Sequence, residues 1–371
     1  MIEKAAASMQ IEQPQKVQND PSVIDTTERA PSKKNLLFSV HVITFLIGFS
    51  ILAIVIYRIG YKSLLDSVAN VGWGFLLIVG LNLTRHMLRA ATLYIAVAPD
   101  VRTFKYRSAV AARFGGEAMT IFSFTGPFLG DATKAVLLKK NLTLTEGASA
   151  IIIDNILYYV TVILMVLSGI GLLLMTYGSS GSGESQILTG IVVVAIILFA
   201  SISLSIIFSI TPLTHLVDFL ERRRLAPGFV LRKRSNIHDV ENNVFQFYHK
   251  RPRDFFTIFV ISLSVHAISV TEVFFALKFL GNQSTVTNAF IIESLTKVIN
   301  AAFSFIPGTI GVYEGGNGLI LKTLGYTTMV GVALALVRRG AILVATSIGL
   351  TILILRTAAR GAKHLAKPRE Q

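Results

Sequence analysis

The chain has no cysteine in its 371 residues. Disulfides, thiolate metal sites and cysteine nucleophiles are therefore excluded. Charge is scarce as well: 15% of residues are charged, against roughly 25% in a soluble domain. The short phrases of common chemistries are missing. There is no Gly-x4-Gly-Lys-Ser/Thr phosphate loop, no His-Glu-x-x-His pair and no Gly-x-Ser-x-Gly elbow, and the seven histidines are scattered. No metal and no cofactor is expected. The first 36 residues have no apolar run and carry Pro14, Pro21 and Pro31, so they do not read as a secretory signal. They are expected to form a disordered cytoplasmic tail, 1–36.

What is present is apolar sequence in long blocks. The chain is 52% hydrophobic, with a mean hydropathy of +0.62. A bilayer-spanning helix needs about 20 apolar residues, and such blocks lie near 37–57, 72–97, 148–176, 187–211, 254–280 and 328–356. The pattern predicts an all-α polytopic membrane protein.

The net charge of +14 reads as the positive-inside rule. No aromatic-interleaved basic motif occurs, so no nucleic-acid partner is expected. The loop 213–253 is rich in arginine and lysine, from Arg222 to Arg253, and the tail 358–371 carries Arg360, Lys363, Lys367 and Arg369. Both are expected in the cytoplasm, and the basic loop either only sets topology or also holds short helices on the inner leaflet. The connections 177–186 and 281–287 have no Lys or Arg and are expected outside. These assignments agree if there are about six full spans with both termini inside. They also require 106–140 and 288–325 to dip into the membrane and return, from opposite sides.

Those two segments are related. Phe122-Ser123-Phe124, followed by Gly126-Pro127 and Gly130, recurs half a chain later as Phe303-Ser304-Phe305, followed by Pro307-Gly308 and Gly311. At an offset of 180, His86 lies over His266, Arg113 over Glu293 and Glu117 over Lys297; at 184, Gly147 lies over Gly331 and Asp154 over Arg338. The halves, about 72–176 and 254–356, predict an inverted internal repeat with two Gly/Pro-broken re-entrant segments. Gly and Pro end helices and leave backbone groups free at membrane depth, which is tolerated where they line a wet cavity or are buried in protein.

A charge at mid-bilayer costs about 2.5–3.5 kcal/mol on insertion scales, so it normally faces a partner or a cavity. Arg113–Glu117 and Glu293–Lys297 are i, i+4 pairs that can neutralise each other. Asp154 and Arg338 either clamp the halves together or line the translocation path. Arg85 and Arg89 share one face with no acid nearby in sequence; they either snorkel to the interface or grip a lipid phosphate. His86 either satisfies a core hydrogen bond or relays protons.

The phrase Gly126-Pro127-Phe128-Leu129-Gly130-Asp131-Ala132-Thr133-Lys134, and then Pro307-Gly308-Thr309-Ile310-Gly311-Val312-Tyr313-Glu314-Gly315, resembles the two signatures of the flippase-like membrane family. That family includes the transmembrane region of lysylphosphatidylglycerol synthases. The first signature departs in reading Gly-Pro where the family reads Pro-Gly. The resemblance covers about 37–357, and only about 15 residues follow. It implies a stand-alone membrane version without the synthase domain, placed in the bacterial inner membrane. It implies lipid translocation or handling and not lysine transfer; no enzymatic activity is expected, the alternative being an intramembrane transferase or hydrolase with Glu117, Asp131 or Glu314 as general base. The expected partners are membrane lipids, an anionic phospholipid or an isoprenoid-type lipid. An alternative is a non-transporting protein that recruits a lipid- or glycan-modifying enzyme. The expected translocation residues are Arg85, His86, Arg89, Arg113, Glu117, Gly130, Asp131, Lys134, Asp154, Glu293, Lys297, Pro307, Gly308, Gly311, Glu314 and Arg338.

Overall fold

The structure is a computed structural model and describes residues 68–122, 127–177, 219–223 and 234–365, with Lys62 and Asp66 besides. They belong to one compact unit, His41–Gln371. Among the described residues the regular structure is helical throughout: α1 (Gly74–Ala96), α2 (Tyr106–Phe122), α3 (Pro127–Leu138), α4 (Leu144–Tyr177), α5 (Arg234–Lys250), α6 (Pro252–Phe279), α7 (Val286–Ala302), a 3-10 turn (Pro307–Thr309), α8 (Val312–Thr323) and α9 (Thr328–Leu365). The expected spans 37–57 and 187–211, the tail 1–36, the basic stretch 224–233 and the phrase 123–126 lie outside the described residues.

The second half repeats the first element by element. α2 and α7 each have 17 residues, α3 and α8 each have 12, and α4 and α9 have 34 and 38. Even the helix starts correspond. Thr143 and Glu146 form a reciprocal capping box before α4, with bonds of 2.8 and 3.2 Å. Thr327, the counterpart of Thr143, accepts the Val330 N–H before α9.

The two halves run in opposite directions. Gly74, at the start of α1, lies against the Phe279 ring at the end of α6. Arg251, just before α6, donates to the carbonyls of Ile95, Ala96 and Val97 at the end of α1, the Ile95 bond being 2.7 Å. A guanidinium there satisfies carbonyls that no further helical turn can use. Equivalent helices that pack antiparallel are related by a two-fold axis across them, so the repeat is inverted, as expected.

The long helices exchange places across that axis. α9 packs on α2 and α1, while α4 packs on α7 and α6. A glycine marks each crossing: Gly169 of α4 sits against Ser294, and Gly349 of α9 against the backbone carbonyl of Phe114. Phe114 and Ser294 are themselves counterparts in the repeat. Small residues let membrane helices approach this closely.

Three described helices, 144–176, 252–279 and 328–356, are long and apolar enough to cross a membrane. α1 covers the expected block 72–97 but carries Arg85 and Arg89. α9 runs on to Leu365, beyond the expected end of its span at 356.

Helices α2 and α3 double back on each other, as do α7 and α8. Gly130 packs on Thr120 and Gly116, and Gly316 on Ile299. Thr296 Oγ1 donates to Asn317 Oδ1 at 3.0 Å across the second hairpin. A 12-residue limb rises about 18 Å, short of the roughly 30 Å hydrocarbon core, so such a hairpin fits re-entry.

The inverted order of Gly and Pro has a local consequence. Pro127 opens α3 directly, where its missing N–H is harmless. In the second half Gly308 (φ 58°) follows Pro307, Thr309 (φ 51°) and Gly311 (φ 79°) are also left-handed, and α8 starts only at Val312.

A polar seam and an ionic cleft between the hairpins

In both central helices a row of polar residues is buried among apolar ones. On α1 it carries Asn82, His86, Arg89 and Thr92; on α6, Ser262, His266, Ser269 and Glu272. The two sets correspond one to one at the offset that aligns the histidines. Sequence comparison finds only the histidine match, because the other three positions changed residue type while keeping polarity. His266 Nε2 lies 3.0 Å from Thr161 Oγ1, and its ring stacks on Tyr158. His86 packs on Phe114.

Along this seam the ion pairs differ in sign between halves. In the first, Asp154 of α4 takes a hydrogen bond from Arg89 Nη1 at 2.8 Å and from Thr92 Oγ1 at 2.5 Å. The Arg89 guanidinium also lies 4.1 Å from the Tyr158 ring centroid, a favourable cation–π distance. In the second half, Arg338 of α9 meets Glu272 at 2.9 Å and Glu293 at 2.8 Å. The Asp154–Arg338 clamp is not formed. Each of the two residues is neutralised within its own half, since equivalent residues touch only on the symmetry axis and these lie off it.

Position 92/272 is the pivot: a threonine helps hold the acid in one half, and a glutamate holds the arginine in the other. An ion pair across the halves is made by Arg85, whose Nη1 donates to Ser269 Oγ at 2.8 Å and lies 3.2 Å from Glu272. Arg85 and Arg89 thus both have acidic partners, distant in sequence. Arg89 is only 3% exposed, so snorkelling does not describe it.

The expected i, i+4 pairs do form, Arg113–Glu117 at 3.3 Å and Glu293–Lys297 at 2.9 Å. Lys297 Nζ also reaches the Tyr158 hydroxyl at 3.4 Å. At the tip of the second hairpin, Glu314 caps α8 by accepting the Gly311 N–H at 2.7 Å. Its other oxygen pairs with Arg339 Nε, and Arg339 Nη1 donates to the Gly308 carbonyl at 2.9 Å. The spacing Gly-x-x-Glu therefore has a mechanical meaning: the glutamate locks the left-handed turn that glycine permits.

Between the hairpins lies a cleft of about 290 Å³. Arg85, Lys297, Arg338 and Arg339 line it against the carboxylates Glu117 and Glu293, with Thr120, Asn300 and Ser304 adding neutral polar groups. Side-chain exposure separates the partners within three of the ion pairs. Arg85, Lys297 and Arg339 are 16%, 16% and 20% exposed, whereas Glu272, Glu293 and Glu314 are 1%, 1% and 0%. These three cations face the opening with their carboxylates behind them, whereas Glu117 stands at the opening itself, 24% exposed, and Arg338 is 5% exposed.

Other expected residues lie elsewhere. Lys134 is buried and bonded to Asp131 at 2.7 Å, and Asp131 also accepts from Asn155 at 2.8 Å. Gly130 serves the close contact of α2 with α3. None of these, nor Arg89 or Asp154, lines the cleft. Arg339 and Glu272, in-membrane charges by sequence but outside the expected translocation set, join the site, and so does Tyr158. Arg339 reaches Glu314 from the following helix, and Glu272 replaces a threonine in the repeat, so neither left a charge match to find.

An inverted pair of helix–hairpin–helix units around a buried ionic cleft defines the class: an all-helical, multi-pass membrane protein. The chain belongs to the family described as Lysylphosphatidylglycerol synthase TM region, whose model matches residues 41–349. No curated protein and no solved structure matches it. The family gives the chain a membrane-lipid-related role.

Proposed function

We propose that the chain translocates an anionic or amphipathic lipid, taking its headgroup into the cleft between the hairpins. The observation that carries this reading is the layering of charge: three cations with access to the cleft, backed by three buried carboxylates that hold them in place. Backing acids offset the cost of placing cations at membrane depth, and the arginine forks suit phosphate oxygens. The small net excess of positive charge in the lining favours reversible over tight binding, which transport requires. In this reading both termini and the basic loop face the cytoplasm, the first hairpin enters from that side, and the second from the other.

The test is headgroup flipping in reconstituted vesicles with Arg85→Gln and Lys297→Gln combined. Glu272 and Glu293 both keep Arg338, so the fold is retained. Transport of an anionic lipid should fall at least about tenfold, a loss of roughly 1.4 kcal/mol of favourable interaction. Unchanged flipping by the folded double variant would sink the role given to these cations.

A further inference from the structure

The cleft does not end at its polar wall. Ile342 and Leu343 of α9 line it one turn beyond Arg338 and Arg339. Leu343 is also the first residue of a second concavity, an open groove of about 520 Å³ formed with Val344, Ser347, Ile348, Thr351 and Ile352. Leu343 lines both, so the groove adjoins the cleft on the same helix.

These six residues form two adjacent i, i+4 rows, 343-347-351 and 344-348-352, and a furrow lies between such ridges on any helix. Its two hydroxyls are not available to a ligand as donors: Ser347 Oγ donates to the Leu343 carbonyl and Thr351 Oγ1 to the Ser347 carbonyl, each at 2.9 Å. They present carbon to the outside, and the furrow is apolar along its length. Leu343 to Ile352 spans about 14 Å at 1.5 Å per residue, close to half of a roughly 30 Å hydrocarbon core.

We infer that this groove on α9 holds one hydrocarbon chain of the lipid whose headgroup occupies the cleft. The inference rests on the lipid-headgroup reading above and extends it from a charged site to a two-part site. Lipid tails are as apolar as leucine, so the groove gains little from hydrophobicity alone. Its selectivity must come from the tethered headgroup, and that dependence separates it from ordinary lipid contact.

The experiment uses the single native tryptophan, Trp73, replaced by phenylalanine. One new tryptophan is then placed at Ile352→Trp, at the far end of the groove, or at Leu263→Trp, an exposed position on α6 that serves as the control. Each protein is reconstituted in phosphatidylcholine with a minor fraction of phosphatidylglycerol carrying brominated chains, or the same fraction of brominated phosphatidylcholine. Quenching at Ile352→Trp should be at least about twofold stronger with the anionic lipid, and equal for the two lipids at Leu263→Trp. Adding Lys297→Gln should bring the Ile352→Trp preference back to one. Equal quenching at Ile352→Trp, or a preference that survives Lys297→Gln, overturns the groove. Because the readout is binding, it separates the two ideas. A preference without any flipping discards translocation and keeps the groove; flipping without a preference does the reverse.

Discussion

Arg89 and Asp154 form a 2.8 Å ion pair inside the first half, both almost completely buried. The pair stands outside the cleft, which makes it a clean test of structural against transporting charge. Removing one partner of a buried pair leaves an uncompensated charge and costs about 3–5 kcal/mol, whereas replacing both with apolar residues of similar size is often neutral. Asp154→Ala should therefore lower the thermal midpoint in detergent sharply, and Arg89→Met with Asp154→Leu should restore most of it. If lipid transport returns with the fold, the pair is structural; a folded, inactive double variant would place it on the transport path.

The helix crossings make a second prediction. A Cβ at Gly331 would stand 2.4 Å from the Asn317 backbone oxygen, and one at Gly349 would stand 2.1 Å from that of Phe114. Backbone cannot swing aside, and overpacking of this kind typically costs about 1–3 kcal/mol. At Gly147 and Gly171 nothing lies within 4 Å of an added Cβ, so alanine there should be neutral or stabilising by up to about 1 kcal/mol. Thermal midpoints of the four single alanine variants should fall into two groups, and a uniform response would contradict the close packing.

The hairpin tip allows its two bonds to be separated. Glu314→Gln keeps an oxygen for the Gly311 N–H and loses the charge that pairs with Arg339; Glu314→Ala loses both. Losing the hydrogen bond from the Gly311 N–H and leaving that buried donor unsatisfied costs about 1–3 kcal/mol, so the alanine variant should melt lower than the glutamine variant by that margin. Arg339→Lys keeps the charge but cannot bridge Glu314 and the Gly308 carbonyl with one fork. It should lose anionic-lipid transport several-fold with little loss of stability. Equal melting of the two Glu314 variants would show that the cap adds nothing.

Much of this architecture is legible in the sequence. Long, mostly apolar runs announce α4, α6 and α9, and the Gly/Pro phrases announce the hairpins. The i, i+4 charges of α2 and α7 pair as helical spacing dictates. The partners of Asp154 and Arg338 are not legible. Their matching positions in the repeat suggest contact, but a two-fold axis brings equivalent residues together only where it passes, near the histidine turns of α1 and α6. Asp154 instead finds Arg89, 65 residues away, through the crossing of α1 with α4, which no local pattern encodes. The polar seam is hidden for a different reason. The offset of the histidines pairs Asn82 with Ser262 and Thr92 with Glu272, but residue type changes at each, so only the packed helices reveal that these positions form one buried polar row.

The absence of cysteine turns the inverted arrangement into a direct measurement, since any introduced thiol is the only one to react. Asp100, after α1, and Lys250, before α6, are exposed at one end of the antiparallel pair; Asn70 and Gln283 are exposed at the other. In sealed right-side-out and inverted vesicles, Asp100→Cys and Lys250→Cys should be labelled by a membrane-impermeant maleimide from the cytoplasmic side. Asn70→Cys and Gln283→Cys should be labelled from the opposite side. Thr309→Cys, at the tip of the second hairpin, should be reached from that opposite side through the cleft. Labelling of Asp100→Cys and Gln283→Cys from the same side would break the antiparallel relation of α1 and α6. Reversal of all five together would keep the fold and turn the whole chain over in the membrane. The two hairpins would then exchange sides, and with them the direction from which a headgroup first meets Arg85.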